Sequence, residues 1–138
     1  MSCLFNSISY LLQNEFSKVG IHNLRYFMIY YIYNNLNEKI NNDMTIQDWL
    51  NNASLEKYGN HDNERYLKEM YNDSTWGGGF EIAIISHIFR LIIVVVKDNK
   101  DISTFNNCIY KDPYYKAYLD YNGSHYEPIK IEKIIEEK

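Results

Sequence analysis

From Phe80 to Val96 the chain is almost continuously apolar, and this run constrains its fold more than any other feature. Phe80, Ile82, Ala83, Ile84, Ile85, Ile88 and Phe89 would be apolar around most of a helix's girth, which predicts a helix buried on nearly every side. Leu91-Ile92-Ile93-Val94-Val95-Val96 follows almost directly. It is β-branched, suits a buried strand, and is far short of the ~20 residues that span a bilayer. A helix and a strand that are both interior need other elements wrapped around them. Gly77, Gly78 and Gly79 precede the run and mark a turn where side chains would be in the way.

The rest of the chain supplies those elements. Leu4, Phe5, Ile8, Leu11, Leu12 and Phe16 recur at three- and four-residue steps, the pattern of a helix burying one stripe. Cys3 lies at or just before its first turn. A second helix is predicted from about Asn23 to Leu36. Thr45-Ile46-Gln47-Asp48 resembles a capping box that opens a short helix, and Asp62 or Asn63 is placed to cap another running to about Tyr71. Strands are predicted around Asn107–Tyr110, Lys116–Tyr121 and Ser124–Ile129, with Asn122-Gly123 as a type I′ hairpin turn between the last two. A helical first half and a strand-rich second half predict an α+β domain over residues 1–131, with 132–138 as a short charged tail.

The chain has 138 residues, enough for about one domain with a substantial core. Its net charge of −4 argues against nucleic acid as the main partner, because phosphate binding needs clustered Lys and Arg. The first basic residue is Lys18, so the positively charged start of a secretory signal is not apparent, and a soluble protein is expected. Two cysteines, Cys3 and Cys108, make no disulfide framework, and no paired zinc ligands stand at short spacing. These features point to a reducing intracellular setting, with no metal and no membrane.

The two ends of the chain carry the chemistry. A thiol with an ordinary pKa near ~8.5 is a poor nucleophile at neutral pH unless a helix N-terminus or an imidazole favours the thiolate. Cys3 has the helix start. Tyr121-Asn122-Gly123-Ser124-His125-Tyr126-Glu127 offers the imidazole, and Glu127, two residues on along a strand, projects from the same face as His125. A carboxylate beside the ring fixes its tautomer and stabilises the imidazolium. Taken one at a time, each has a plainer reading: Cys3 as a structural cysteine, His125 as a surface histidine, Glu127 as an exposed charge.

Four segments taken in order resemble the ovarian tumour (OTU) domain cysteine proteases, which remove ubiquitin. Cys3-Leu4-Phe5 is similar to the second half of that family's Asp-x-x-Cys-Leu-Phe, and His22-Asn23-Leu24-Arg25 to its His-x-x-Leu-Arg segment. Tyr66-Leu67-Lys68-Glu69-Met70 and Trp76-Gly77-Gly78-Gly79-Phe80-Glu81 resemble its Tyr-Leu-x-x-Met and Trp-Gly-Gly-x-x-Glu block. The segment around His125 resembles the one bearing its catalytic histidine.

The resemblance implies an OTU-like fold, with a helical first half packed on a small, mostly antiparallel sheet. It implies Cys3 as nucleophile, His125 as general base and Glu127 where the family usually has Asp or Asn. Glutamate is one methylene longer. The family's upstream Asp falls ahead of Met1. Of the loop that supplies oxyanion-hole N–H groups this sequence holds Met1 and Ser2, and Trp76 is expected either in the core or at the wall of the substrate groove. The activity implied is thiol-dependent hydrolysis of isopeptide bonds at the C-terminal glycine of ubiquitin or a ubiquitin-like modifier, without cofactor. The alternative is a ubiquitin-binding module of the same fold with weak or no turnover.

Overall fold

The computed structural model describes residues 3–13, 24–41, 43–106 and 113–134. Five helices and six strands follow in chain order: α1 (Cys3–Leu12), α2 (Leu24–Asn34), β1 (Lys39–Asn41), β2 (Met44–Thr45), α3 (Ile46–Tyr58), α4 (Asn63–Met70), α5 (Gly79–Phe89), β3 (Leu91–Lys97), β4 (Lys100–Asn106), β5 (Tyr115–Tyr121) and β6 (Tyr126–Lys133). The predicted strand at Asn107–Tyr110, with Cys108, and the predicted reach of the first helix to Phe16 lie outside the described residues.

Local chemistry sets the helix boundaries. Thr45 caps α3 reciprocally: its hydroxyl accepts from the Asp48 N–H at 3.1 Å, and the Asp48 carboxylate accepts from the Thr45 N–H at 3.0 Å. Gly59, with φ +81°, closes α3 in the left-handed conformation that a glycine adopts without steric cost. Asp62 caps α4 through the Arg65 N–H. At the end of α2 the side-chain amides of Asn34 and Asn35 donate to the carbonyls of Tyr30 and Tyr31, satisfying groups that have no partner within the helix.

The main sheet has the order β4-β3-β5-β6. Its two outer pairings are antiparallel and its central one, β3 with β5, is parallel, so the sheet is mixed and, as expected, mostly antiparallel. The helices α1 and α5 pack on it, α1 against β5 and β6, α5 against β3 and β4. Leu91, Ile93 and Val95 join Ala117 and Leu119 in the core, together with Ile82, Ile84 and Ile85 of the nearly all-apolar α5. β1 and β2 form a separate two-stranded sheet.

Two hairpins differ from the sequence reading. Asp98 and Asn99, both with positive φ (54° and 66°), make the two-residue turn between β3 and β4, so the backbone expected at Asn122-Gly123 is found here instead. Between β5 and β6 only Gly123 has positive φ. The loop there spans Asn122–His125 and is held by the Asn122 side chain, whose carbonyl accepts from the N–H groups of Ser124 and His125 at 3.0 and 2.9 Å. An asparagine bonding backbone two and three residues on replaces the type I′ geometry. β6 also continues through Lys133, two residues past Ile131, where the sequence reading ends the domain.

Candidate active site

Helix α1 carries Cys3 in its first turn, where backbone N–H groups lack intrahelical partners. Its buried stripe of Leu4, Phe5, Ile8, Leu11 and Leu12 fixes its rotation, and Cys3 stays half-buried at the surface. Ser7, one turn on, donates its hydroxyl to the Tyr126 carbonyl at 3.1 Å. That bond ties α1 to the start of β6, adding to the packing of the helix on β5 and β6 that brings the two segments together.

Cys3 and His125 line the same cleft, of about 380 Å³, with Asn6, Ser7, Tyr10, Tyr126, Glu127 and Pro128. The His125 Nε2 lies 3.0 Å from the Glu127 Oε2, both side chains substantially exposed. With Nε2 engaged by the carboxylate, a neutral imidazole carries its proton there and presents Nδ1 as the acceptor. Tyr126 stacks on Tyr121 with ring centroids 4.5 Å apart. Burial, with Tyr121 and Cys3 beside it, pushes the Tyr126 phenol up to about 12.

On the other side of Cys3 a second cleft, of about 250 Å³, is walled by Trp76, Gly77, Gly78 and Gly79 and faced by Tyr121, Ser124 and Tyr126. Trp76 is 59% exposed, so it belongs to the groove wall and not to the core. The wall is built close to the helix that carries Cys3. A Cβ on Gly77 would come within 2.7 Å of Leu4 Cδ2 and 3.0 Å of Phe5 Cε2.

Two buried charges grip this wall from beneath. The Arg25 guanidinium lies 4.3 Å over the Phe5 ring and donates to the carbonyls of Met70 (2.8 Å), Thr75 (2.9 Å) and Asp73 (3.3 Å). Glu81, 1% exposed, accepts from the Gly78 N–H at 2.7 Å and from the Tyr66 hydroxyl at 2.6 Å. Burial raises the Glu81 carboxyl above its ordinary range, against the opposing pull of those two donors.

The sequence therefore finds Cys3, His125, Glu127 and Trp76 around one thiol, while Ser2 lies outside the described residues. It does not find Asn6, Tyr10, Tyr126 or the tether from Ser7. The signal for Asn6 and Tyr10 was present, since with Cys3 they fall at the i, i+3, i+7 spacing of one helix face. Glu81 reads in the sequence as a helix-start charge; its burial under the glycines comes from tertiary packing. Among the described residues no grouping of His, Cys, Asp and Glu is arranged to hold a metal ion, and no helix is long and apolar enough to cross a membrane.

Known proteins resemble this chain in sequence and in fold. A curated relative from Dictyostelium discoideum, "Ubiquitin thioesterase OTU1", is 29% identical over 133 residues, which cover 94% of this chain and 35% of that protein. The chain thus spans about a third of that relative's length. A solved structure described as an ovarian tumour domain in complex with ubiquitin aligns over 94% of this chain and 64% of its own, with a TM-score of 0.65 and 26% identity. An OTU deubiquitinase from Wolbachia pipientis shares the fold, with a TM-score of 0.62 and 18% identity over 96% of this chain and 82% of its own. The family described as "OTU-like cysteine protease" matches residues 2–126, and the chain belongs to that family.

Proposed function

We propose that this chain is a cysteine-type deubiquitinase, hydrolysing the isopeptide bond at the C-terminal glycine of ubiquitin or a ubiquitin-like modifier in a reducing intracellular compartment. The observation that carries the reading is the placement of Cys3 between two clefts, one holding the His125–Glu127 pair and the other walled by backbone-rich glycines. A cleft with glycines on one side and aromatic rings on the other suits a thin, side-chain-free tail.

In the proposed reaction His125 accepts the Cys3 thiol proton through Nδ1, and the sulfur attacks the glycine carbonyl to form a tetrahedral intermediate. The N–H groups at the start of α1, with the segment holding Ser2, stabilise its oxyanion. Collapse breaks the C–N bond, the leaving amine takes the proton from the imidazolium, and a thioester remains on Cys3. Water, deprotonated by His125, then releases the carboxylate and restores the thiol. Glu127 orients the ring, and Trp76 lines the path of the tail. No cofactor enters.

Ubiquitin bearing a C-terminal electrophile tests the assignment. The expected result is a covalent adduct that disappears in Cys3→Ala and is strongly slowed in His125→Ala. Tight binding without an adduct supports the module reading instead, which the exposure of the His125–Glu127 pair favours. Absence of any recognition would overturn both.

A further inference from the structure

His125 is carried on no strand. It ends the exposed loop that joins β5 to β6, one residue before β6 begins at Tyr126, so no ladder of a neighbouring strand fixes its backbone. Its side-chain contact with Glu127 is open to water on both sides and holds the ring only weakly. The loop is fixed instead by one side chain. The Asn122 Oδ1 accepts from the His125 N–H at 2.9 Å, from the Ser124 N–H at 3.0 Å and from the Ser124 hydroxyl at 3.4 Å. In the other direction the Asn122 N–H donates to the His125 carbonyl at 3.1 Å, so the two residues clasp each other twice. Gly123, with φ +106°, turns the chain between them, and the Tyr121 hydroxyl donates to its carbonyl at 2.8 Å.

We propose that Asn122 is the positioning residue of the general base: its side-chain oxygen, bonded to the His125 N–H, sets the backbone from which the imidazole reaches the cleft beside Cys3. The inference rests on the hydrolase reading above and deepens it. Glu127 can steer only the ring, whereas the Asn122 oxygen decides where the residue bearing the ring stands. That placement matters because a shift of about 1 Å between reacting groups can cost about a hundredfold in rate. Asn122 lines neither of the two clefts that meet at Cys3, so it acts through the residues it holds and not on a substrate. A side-chain carbonyl bonding amides two and three residues on is a local device, one that serves without help from the core.

Adduct formation with ubiquitin bearing a C-terminal electrophile tests the role. Asn122→Ala is expected to slow it about tenfold or more, beyond the effect of Glu127→Gln, and Asn122→Asp, which keeps an acceptor oxygen at the same reach, to stay within about threefold of wild type. The two alanine variants combined give the decisive comparison. His125→Ala forms adduct slowly, and adding Asn122→Ala is expected to change that residual rate by less than about twofold, since no imidazole is left to misplace. A merely structural role would slow both backgrounds alike. A wild-type rate in Asn122→Ala, an Asn122→Asp no faster than Asn122→Ala, or an equal loss with and without His125 overturns the positioning role and leaves the hydrolase reading intact. If the wild-type chain forms no adduct, the hydrolase reading itself fails and the positioning role falls with it.

Discussion

The His125 imidazole, at the end of the loop before β6, and the Glu127 carboxylate, at the second residue of that strand, meet with Nε2 and Oε2 3.0 Å apart, and both side chains are open to water, at 45% and 65% exposure. An ion pair in that setting is worth about 1 kcal/mol or less. Glu127→Gln is therefore expected to slow turnover by no more than roughly fivefold, far less than the loss seen when a buried orienting carboxylate is neutralised. Steady-state rates on a ubiquitin conjugate check this. A loss of a thousandfold would mean that bound substrate buries the pair.

Ser7, one turn from Cys3 in the same cleft, holds α1 against β6 through its bond to the Tyr126 carbonyl. Ser7→Ala leaves that acceptor unpaired and is expected to cost about 1 kcal/mol, which for a chain of this size lowers Tm by about 2–4 °C. Adduct formation should slow in parallel, because α1 loses a fixed register against β6. Thermal denaturation and adduct kinetics on the same variant read the two effects.

Gly77 and Gly78 look equivalent in sequence and should not behave alike. At Gly77 a methyl group meets Leu4 and Phe5, both buried, so Gly77→Ala is expected to cost about 1–3 kcal/mol as an overpacked contact and to displace the turn that holds Cys3. At Gly78 the nearest atom to an added Cβ is 3.9 Å away, and Gly78→Ala should lie within about 0.5 kcal/mol of wild type. Denaturant unfolding of the two variants makes the comparison.

Glu81 should leave a signature in the pH dependence of stability. Its folded carboxyl is raised by burial above the ordinary value of 4.5, so between that value and its folded pKa the native state holds more protons than the unfolded chain. Its contribution is fully present below pH 4.5 and is lost as the pH rises through the folded pKa. Glu81→Gln, which keeps an acceptor for the Gly78 N–H, should flatten that part of the profile. Glu81→Ala strands two donors and is expected to cost about 2–3 kcal/mol across the whole range. Melting temperatures measured from pH 4 upward for the three proteins decide the matter.

Much of this site was legible because its signals are local. The capping box at Thr45 and Asp48 needs four residues, the stripe from Leu4 to Leu12 needs three turns, and the run into β3 is apolar enough to be interior in almost any fold. Asn122-Gly123 misleads because Asn122 has a second use for its side chain, binding the amides of Ser124 and His125, and a four-residue loop stands where a two-residue hairpin turn is expected. Arg25 and Glu81 were beyond reach for a different reason. A charge is exposed by default, and only the arrival of carbonyls from Met70 to Thr75, or of the Tyr66 hydroxyl, makes burial tolerable.

The bond from Ser7 to Tyr126 joins residues 119 positions apart, and it requires the start of β6 to be docked on α1. In a truncated or half-synthesised chain the sulfur has no base beside it, however well α1 itself is made. Under the proposed reading, a chain cut before β6 is expected to carry a Cys3 thiol that forms no adduct with a ubiquitin electrophile.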